Sequence, residues 1–336
     1  MEKDYARLTP VGLIKALKAD GVRPTSETPF RPHVSVQGGG SAGIIGLGAL
    51  DTYVNEGYLD HTLQIDGISI GSTDAAAAIS GQIERAKIAQ IEALTDEEFI
   101  KFRRVKKPAD FGLLERVIRT SLNVDAVLIS PVNLGIGLTK KSDLSPHSIT
   151  SSEIAEQDGD LVKWLMRAMH LPIAAGLAKS EWIDGGTSWL RTPDISRHYG
   201  ATHIIDISNA PTKTWKYQKW PTNIVGAWLA FDGLNRANFT AYHKFTLDQA
   251  DEINKGNPPD CETTFPSDGI VLPGTFERGK DSKRKLELGF IAGQNAMARA
   301  LGVPIAGIEI PAEAKKESIR LFGRYALPKR IFPLAS

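Results

Sequence analysis

A chain of 336 residues, 42% hydrophobic and 24% charged, is long enough for one large soluble domain or two small ones. Forty basic residues against 39 acidic ones leave a net charge of +1, so bulk charge points to neither nucleic acid nor an acidic partner. The single cysteine, Cys261, excludes an intrachain disulfide framework and a cysteine-rich metal site and fits a reducing, cytosol-like compartment, and no apolar run reads as a signal peptide or membrane span.

Taken in chain order, residues 1–31 form an N-terminal extension, with an amphipathic helix expected from Pro10 to Ala19 followed by a polar connector. "HVSVQ" (33–37) alternates and is β-branched, which predicts a strand. A glycine turn leads into a helix, "GIIGLGALDTYVNEGYL". "TLQID" (62–66) predicts the next strand, and "STDAAAAISGQIERAKIAQIEAL" the next helix. Thr95 and Glu98 fit a capping box for a helix over "DEEFIKFRRV", which Pro108 ends. "VDAVLIS" (124–130) has the pattern of a buried strand, and residues 131–151 read as loop. "DLVKWLMRAMH" predicts a helix. "TPDISRHYG" predicts another, with Thr192 as N-cap, Pro193 first and Gly200 past the end. "THIIDIS" (202–208) and "GIVLPG" (269–274) read as strands, and "RKLELGFIAGQNAMARAL" as a helix. Alternating strands and helices argue for an α/β domain whose parallel sheet is covered on both faces.

Three stretches carry residues suited to chemistry. In "GGGSAG" (38–43), Gly38, Gly40 and Gly43 satisfy G-x-G-x-x-G, with Asp60 and Asp66 placed for a ribose contact, so a nicotinamide dinucleotide site is one reading. Unpaired amides at a helix N-terminus suit the oxyanion of acyl transfer equally well, and a tight turn without a ligand is a third reading. In "GISIG", Gly67 and Gly71 flank Ser69 between a strand and a helix, the setting of a nucleophile on a sharp turn. The alternatives are that Ser69 caps the helix, or that Ser72 is the relevant hydroxyl. In "EWIDGGTSWLRTP", Asp184 precedes Gly185 and Gly186. That pattern suits an ordinary turn, or a carboxylate that approaches a serine closely enough to take its proton.

In this order the three stretches resemble the patatin-like phospholipase family. Its pattern is a G-G-G-x-R/K-G loop, a G-x-S-x-G turn and a D-G-G or D-G-A aspartate. Here these are Gly38–Gly43, Gly67–Gly71 and Asp184-Gly185-Gly186, with Ala42 where the family usually has arginine or lysine and Ile70 where it usually has a smaller residue. The resemblance extends through "DGDLVKWLMRAMHLPIAAG" and "TPDISRHYGATHIIDIS" and is taken to span residues 32–302, with 303–336 as a C-terminal tail. It implies a patatin-like three-layer α/β/α fold with a mostly parallel central sheet. It also implies a lipid acyl hydrolase of phospholipase A or lysophospholipase type that needs no metal or cofactor. On this reading Asp184 takes the proton of Ser69, which attacks the ester. Backbone amides of the oxyanion loop, drawn from Gly38, Gly39, Gly40, Ser41 and Gly43, hold the developing charge, and Asp184 then activates water against the acyl-enzyme.

"TKTWKYQKW" interleaves Trp215, Tyr217 and Trp220 with Lys216 and Lys219, a mixture suited to transient contact with a membrane surface or to a lid. The same aromatics would serve equally well as core. Nucleic acid is not expected as a partner. An acyltransferase or small-ester hydrolase with the same dyad, and a catalytically weak lipid- or partner-binding protein, are the competing functions.

Overall fold

The computed structural model describes residues 4–95, 99, 109–171, 175, 179–189, 191–209, 258–266, 273 and 281–305. The expected strand at 269–274, the helix over 96–105 and the aromatic and basic residues Trp215, Lys216, Tyr217, Lys219 and Trp220 lie outside the described residues, apart from Phe99 and Pro273.

Among the described residues seven strands form one mixed sheet, six of them in the order β4-β3-β2-β1-β6-β7, with β5 off this path and paired to β3. They are β1 (Pro32–Val36), β2 (Gln64–Ile68), β3 (Asn133–Lys140), β4 (Pro146–Thr150), β5 (Trp182–Asp184), β6 (His203–Ile207) and β7 (Cys261–Thr264). The pairs among β3, β2, β1, β6 and β7 are parallel, whereas β4 and β5 each pair antiparallel with β3. Helices cover both faces, giving the mostly parallel α/β/α architecture that the alternation of elements implied.

The central strands alternate, and both of their faces are buried. Val34, Val36, Ile65, Ile205 and Ile207 join one large apolar core with Ile44, Ile45 and Leu47 of α2 (Gly43–Asn55). Full burial of each such side chain stabilises the fold by about 1.5–3 kcal/mol. The opposite face carries His33, Ser35, Gln64, Asp66 and Asp206, all buried under α9 (Pro193–His198). Such groups are tolerated in a core only when hydrogen-bonded. Asp66 accepts from Gln64 Nε2 (2.6 Å), Ser196 Oγ (2.6 Å) and His33 Nδ1 (3.0 Å), while Asp206 accepts from Ser35 Oγ (2.7 Å) and Thr263 Oγ1 (3.3 Å). Polar alternation therefore signals a buried hydrogen-bonded array here, not a solvated face.

α1 (Pro10–Asp20) starts where expected, with Thr9 Oγ1 accepting from Gly12 N (3.1 Å) and Gly21 ending it at φ +65°. Leu13 and Leu17 are fully buried with Phe30, so this segment packs onto the sheet domain. The single helix expected over 72–94 is two, α3 (Ile70–Ile79) and α4 (Ile83–Thr95), broken at Gly81, which sits at φ +69°. Thr95 ends α4 and donates to the Ile91 carbonyl, while Glu98, its expected capping partner, lies outside the described residues.

The larger correction concerns residues 124–140. "VDAVL" is a helix, α6 (Val124–Leu128), capped by Asn123 Oδ1 accepting from Ala126 N (3.2 Å). The expected loop that follows contains β3, the strand to which β2, β4 and β5 all pair. α7 (Ser151–Glu156) and α8 (Leu161–Ala168) pack against it, and α5 (Phe111–Ser121) packs on α8 and α4. α7 opens with a full capping box between Thr150 and Glu153. α9 begins at Pro193 as expected, with Thr192 preceding it but making no side-chain cap. α10 (Ser282–Leu301) crosses α2 closely: a Cβ at Gly293 would lie 1.9 Å from the Ile45 carbonyl oxygen, and one at Gly48 2.0 Å from that of Phe290. Among the described residues no helix is long and apolar enough to cross a membrane.

Candidate active site

β2 ends at Ile68 and the chain turns abruptly into α3. Ser69 sits at the turn with φ +55° and ψ −129°, a conformation rarely adopted by a residue with a side chain. Both flanking glycines are dictated by packing. A Cβ at Gly67 would lie 2.5 Å from backbone atoms of Gly71 and Ser72, and one at Gly71 would lie 2.5 Å from the Val36 carbonyl oxygen. The Ser69 side chain makes no capping bond to α3, so the helix-cap reading does not hold. It is left half-buried at the carboxyl end of the sheet, over the positive end of a ten-residue helix. Ser72, the rival hydroxyl, is fully buried within α3.

The register of β3 brings the aspartate to this serine. Ile68 pairs with Gly137, and Asp184 pairs with Leu138, the next residue of β3. β4 occupies the other edge of β3 at this level, so β5 takes over the edge that β2 leaves as it turns into Ser69. The close approach needs glycine, since a Cβ at Gly185 would lie 2.4 Å from the Gly137 carbonyl oxygen. Thr139 Oγ1 donates to the Asp184 carbonyl (2.8 Å), and Gly186 N donates to the Asp184 carboxylate (2.8 Å). Burial raises the Asp184 pKa to about 6, against the opposing pull of the Ser69 hydroxyl and the Gly186 amide.

The 38–43 loop closes the site from β1. A Cβ at Gly38 would lie 2.9 Å from Ser69 Cβ and 2.8 Å from the Ile68 carbonyl oxygen, so this loop reaches Ser69 only as glycine. Gly39 (φ +149°) and Gly40 (φ +59°) hold backbone conformations that favour glycine. Among the described residues the amides of Gly38, Gly39 and Gly40 have no hydrogen-bond partner. Ser41 is buried, and Gly43 starts α2, where its Cβ would lie 2.3 Å from Ile70 Cγ2. Gly43 is thus required by packing against Ile70, the residue that follows Ser69.

The dinucleotide reading loses its acidic partners. Asp66 is fully buried in the sheet array, and Asp60 forms a surface pair with Arg23 (2.9 Å). His203 is packed at the start of β6, bonded to Thr202 and to the Leu8 carbonyl, and His198 lies against Tyr199 and Trp189. Two contributors escaped the sequence reading. Thr139 lies in the supposed loop, and Asn209, just after β6, is buried with its side chain on the carbonyls of Gln37 and Gly38. The only sequence signal for Asn209 was a polar residue at the carboxyl end of a strand.

Ile70 helps to line a narrow apolar cleft of about 40 Å³. Thr73 and Ala77 of α3, Ala89 and Ala93 of α4 and Leu114 of α5 are among its walls.

Residues 34–191 match the family model of the patatin-like phospholipases. The chain carries a patatin-like domain. The matched segment contains the glycine loop, Ser69 and Asp184, and its strands continue into the same sheet as β6 and β7 beyond it. Among solved structures the chain is similar to VipD from Legionella pneumophila, at 11% identity and a TM-score of 0.43, covering 83% of this chain and 69% of VipD. No curated protein matches it.

Proposed function

We propose that the patatin-like domain is a lipid acyl hydrolase of phospholipase A or lysophospholipase type, cleaving carboxylic esters through a Ser69–Asp184 dyad. The observation that carries this reading is the pairing of Ile68 and Asp184 with consecutive residues of β3, which sets a buried carboxylate against a serine in a nucleophile turn. Asp184 accepts the hydroxyl proton as Ser69 attacks the ester carbonyl. The amides of the 38–43 loop and the N-terminus of α3 stabilise the oxyanion. Collapse of the tetrahedral adduct expels the alcohol or lysolipid, which takes the proton from Asp184. Water then gives a proton to Asp184 and attacks the acyl-enzyme, and collapse of this second adduct releases the fatty acid and returns the proton from Asp184 to Ser69. The apolar cleft lined in part by Ile70, next to Ser69 in the chain, takes the acyl chain on this reading.

A fluorescent fluorophosphonate tests the dyad. Wild type is expected to label, and Ser69→Ala and Asp184→Asn to lose labelling. Labelling that persists in Ser69→Ala sinks the assignment. Labelling that persists in Asp184→Asn removes the aspartate from the mechanism.

A further inference from the structure

The glycine loop cannot hold its own direction. Gly38, Gly39 and Gly40 follow one another, and each can turn its peptide planes at little steric cost. Oxyanion donors act through being aimed beforehand, so something outside the loop must aim them.

Asn209 is in position to do so. Its side-chain nitrogen donates to the Gln37 carbonyl (2.6 Å) and to the Gly38 carbonyl (3.1 Å). Both acceptors are carbonyl oxygens, so the amide nitrogen, not its oxygen, must face them. The two hydrogens of one side-chain amide thereby clamp two successive peptide planes. Each trans peptide carries its C=O and N–H on opposite sides, and the chain has no cis bond among the described residues. The Gln37 carbonyl shares its plane with the Gly38 amide, and the Gly38 carbonyl with the Gly39 amide. Drawing both carbonyls toward Asn209 turns both amides away from it, and these amides have no other partner among the described residues. The loop that carries them touches Ser69 at Gly38. Asn209 gives up something for this role: its own Oδ1 is buried beside Gly46 without a partner among the described residues.

We infer that Asn209 is a positioning residue that fixes the direction of the Gly38 and Gly39 amides as oxyanion donors. The inference rests on the dyad reading above. Alanine frees both planes. Aspartate sets acceptor oxygens against two carbonyls, and serine keeps a single donor.

The test compares wild type, Asn209→Asp, Asn209→Ala and Asn209→Ser on a chromogenic ester. It adds the affinity of a trifluoromethyl ketone, whose adduct with Ser69 carries an oxyanion, and the melting temperature of each protein. For Asp and Ala, kcat is expected to fall about 10²-fold, within the range seen when one oxyanion donor is lost. KM should stay nearly constant and ketone affinity should fall in step with kcat, with Ser in between. Folded variants that keep wild-type kcat and ketone affinity overturn the inference, as does a kcat loss unaccompanied by weaker ketone binding. If Asp and Ala do not fold, Ser decides by the same two readouts. Ser69→Ala in the same assay separates the two readings: wild-type activity that does not depend on Ser69 brings down the dyad and this inference together, whereas Ser69-dependent activity indifferent to Asn209 overturns this inference alone.

Discussion

Asp184 is held against opposing demands. Burial favours its neutral form, while the Ser69 hydroxyl and the Gly186 amide favour the charged one, and the balance leaves its pKa at about 6. A general base must be ionised, so kcat/KM for ester hydrolysis should rise as pH passes about 6 and level off above it. Stability should move the other way. The folded pKa is raised above the ordinary 3.8, so the native state binds more protons than the unfolded chain between these values. Stability conferred by this group is therefore complete below about 3.8 and is lost as pH rises to about 6, by roughly 3 kcal/mol in all. Asp184→Asn removes the titrating group. It should abolish activity at every pH and unfold at higher temperature than wild type above pH 6, with the difference vanishing near pH 4. A pH–rate profile alongside thermal unfolding of both proteins checks this. An equal melting temperature for the two at pH 8 would contradict the cost assigned to the buried charge.

At the scale of elements, β3 is what the sequence hid. Glycine, asparagine and proline in "PVNLGIGL" are loop residues by propensity, and two of them turn out to make room. A Cβ at Gly135 would fall 1.9 Å from Asp66 Oδ1, and one at Gly137 2.5 Å from Ile195 Cδ1. The neighbouring apolar run "VDAVLI" mimics a buried strand, yet it is a helix that leaves Ile129 82% exposed. Propensity lost to tertiary packing at both places, whereas Ser69 and Asp184 were legible because their turns require glycines at fixed offsets. Those glycines are not equivalent. A Cβ at Gly185 meets backbone, the Gly137 carbonyl oxygen at 2.4 Å, while one at Gly186 meets only the Asp184 Oδ1 and Ile68 Cγ2 side-chain atoms, at 3.1 and 3.6 Å. Gly185→Ala must push β5 along β3 and displace Asp184 from Ser69, and a shift of about 1 Å at a catalytic group costs about 10²-fold. The rate of fluorophosphonate labelling should fall by that order in Gly185→Ala and by less than tenfold in Gly186→Ala. A reversed order would show that β5 does not set the position of the aspartate.

At the scale of the whole molecule, the layers determine where a substrate can lie. Ser69 stands at the carboxyl edge of the sheet, and α3 leads from it along the apolar cleft closed by α4 and α5. That the chain was α/β could be read from the alternation of elements. The cleft could not, because it depends on how three helices separated in sequence come together around alanines. If the acyl chain enters the cleft, as proposed, its space of about 40 Å³ takes only the first methylenes, and longer chains would have to part α4 from α5. Ala89, half-buried in α4, faces that space and can enlarge without touching Ser69 or Asp184. Each methylene kept out of an apolar pocket forfeits about 0.8 kcal/mol, so two or three lost positions amount to roughly 10- to 60-fold. Ala89→Leu should therefore lower kcat/KM for a decanoyl ester by at least tenfold relative to a butyryl ester while leaving the butyryl rate and Ser69 labelling near wild type. An unchanged ratio between the two esters would mean that the acyl chain leaves Ser69 in another direction and that the cleft is only a packing gap between helices.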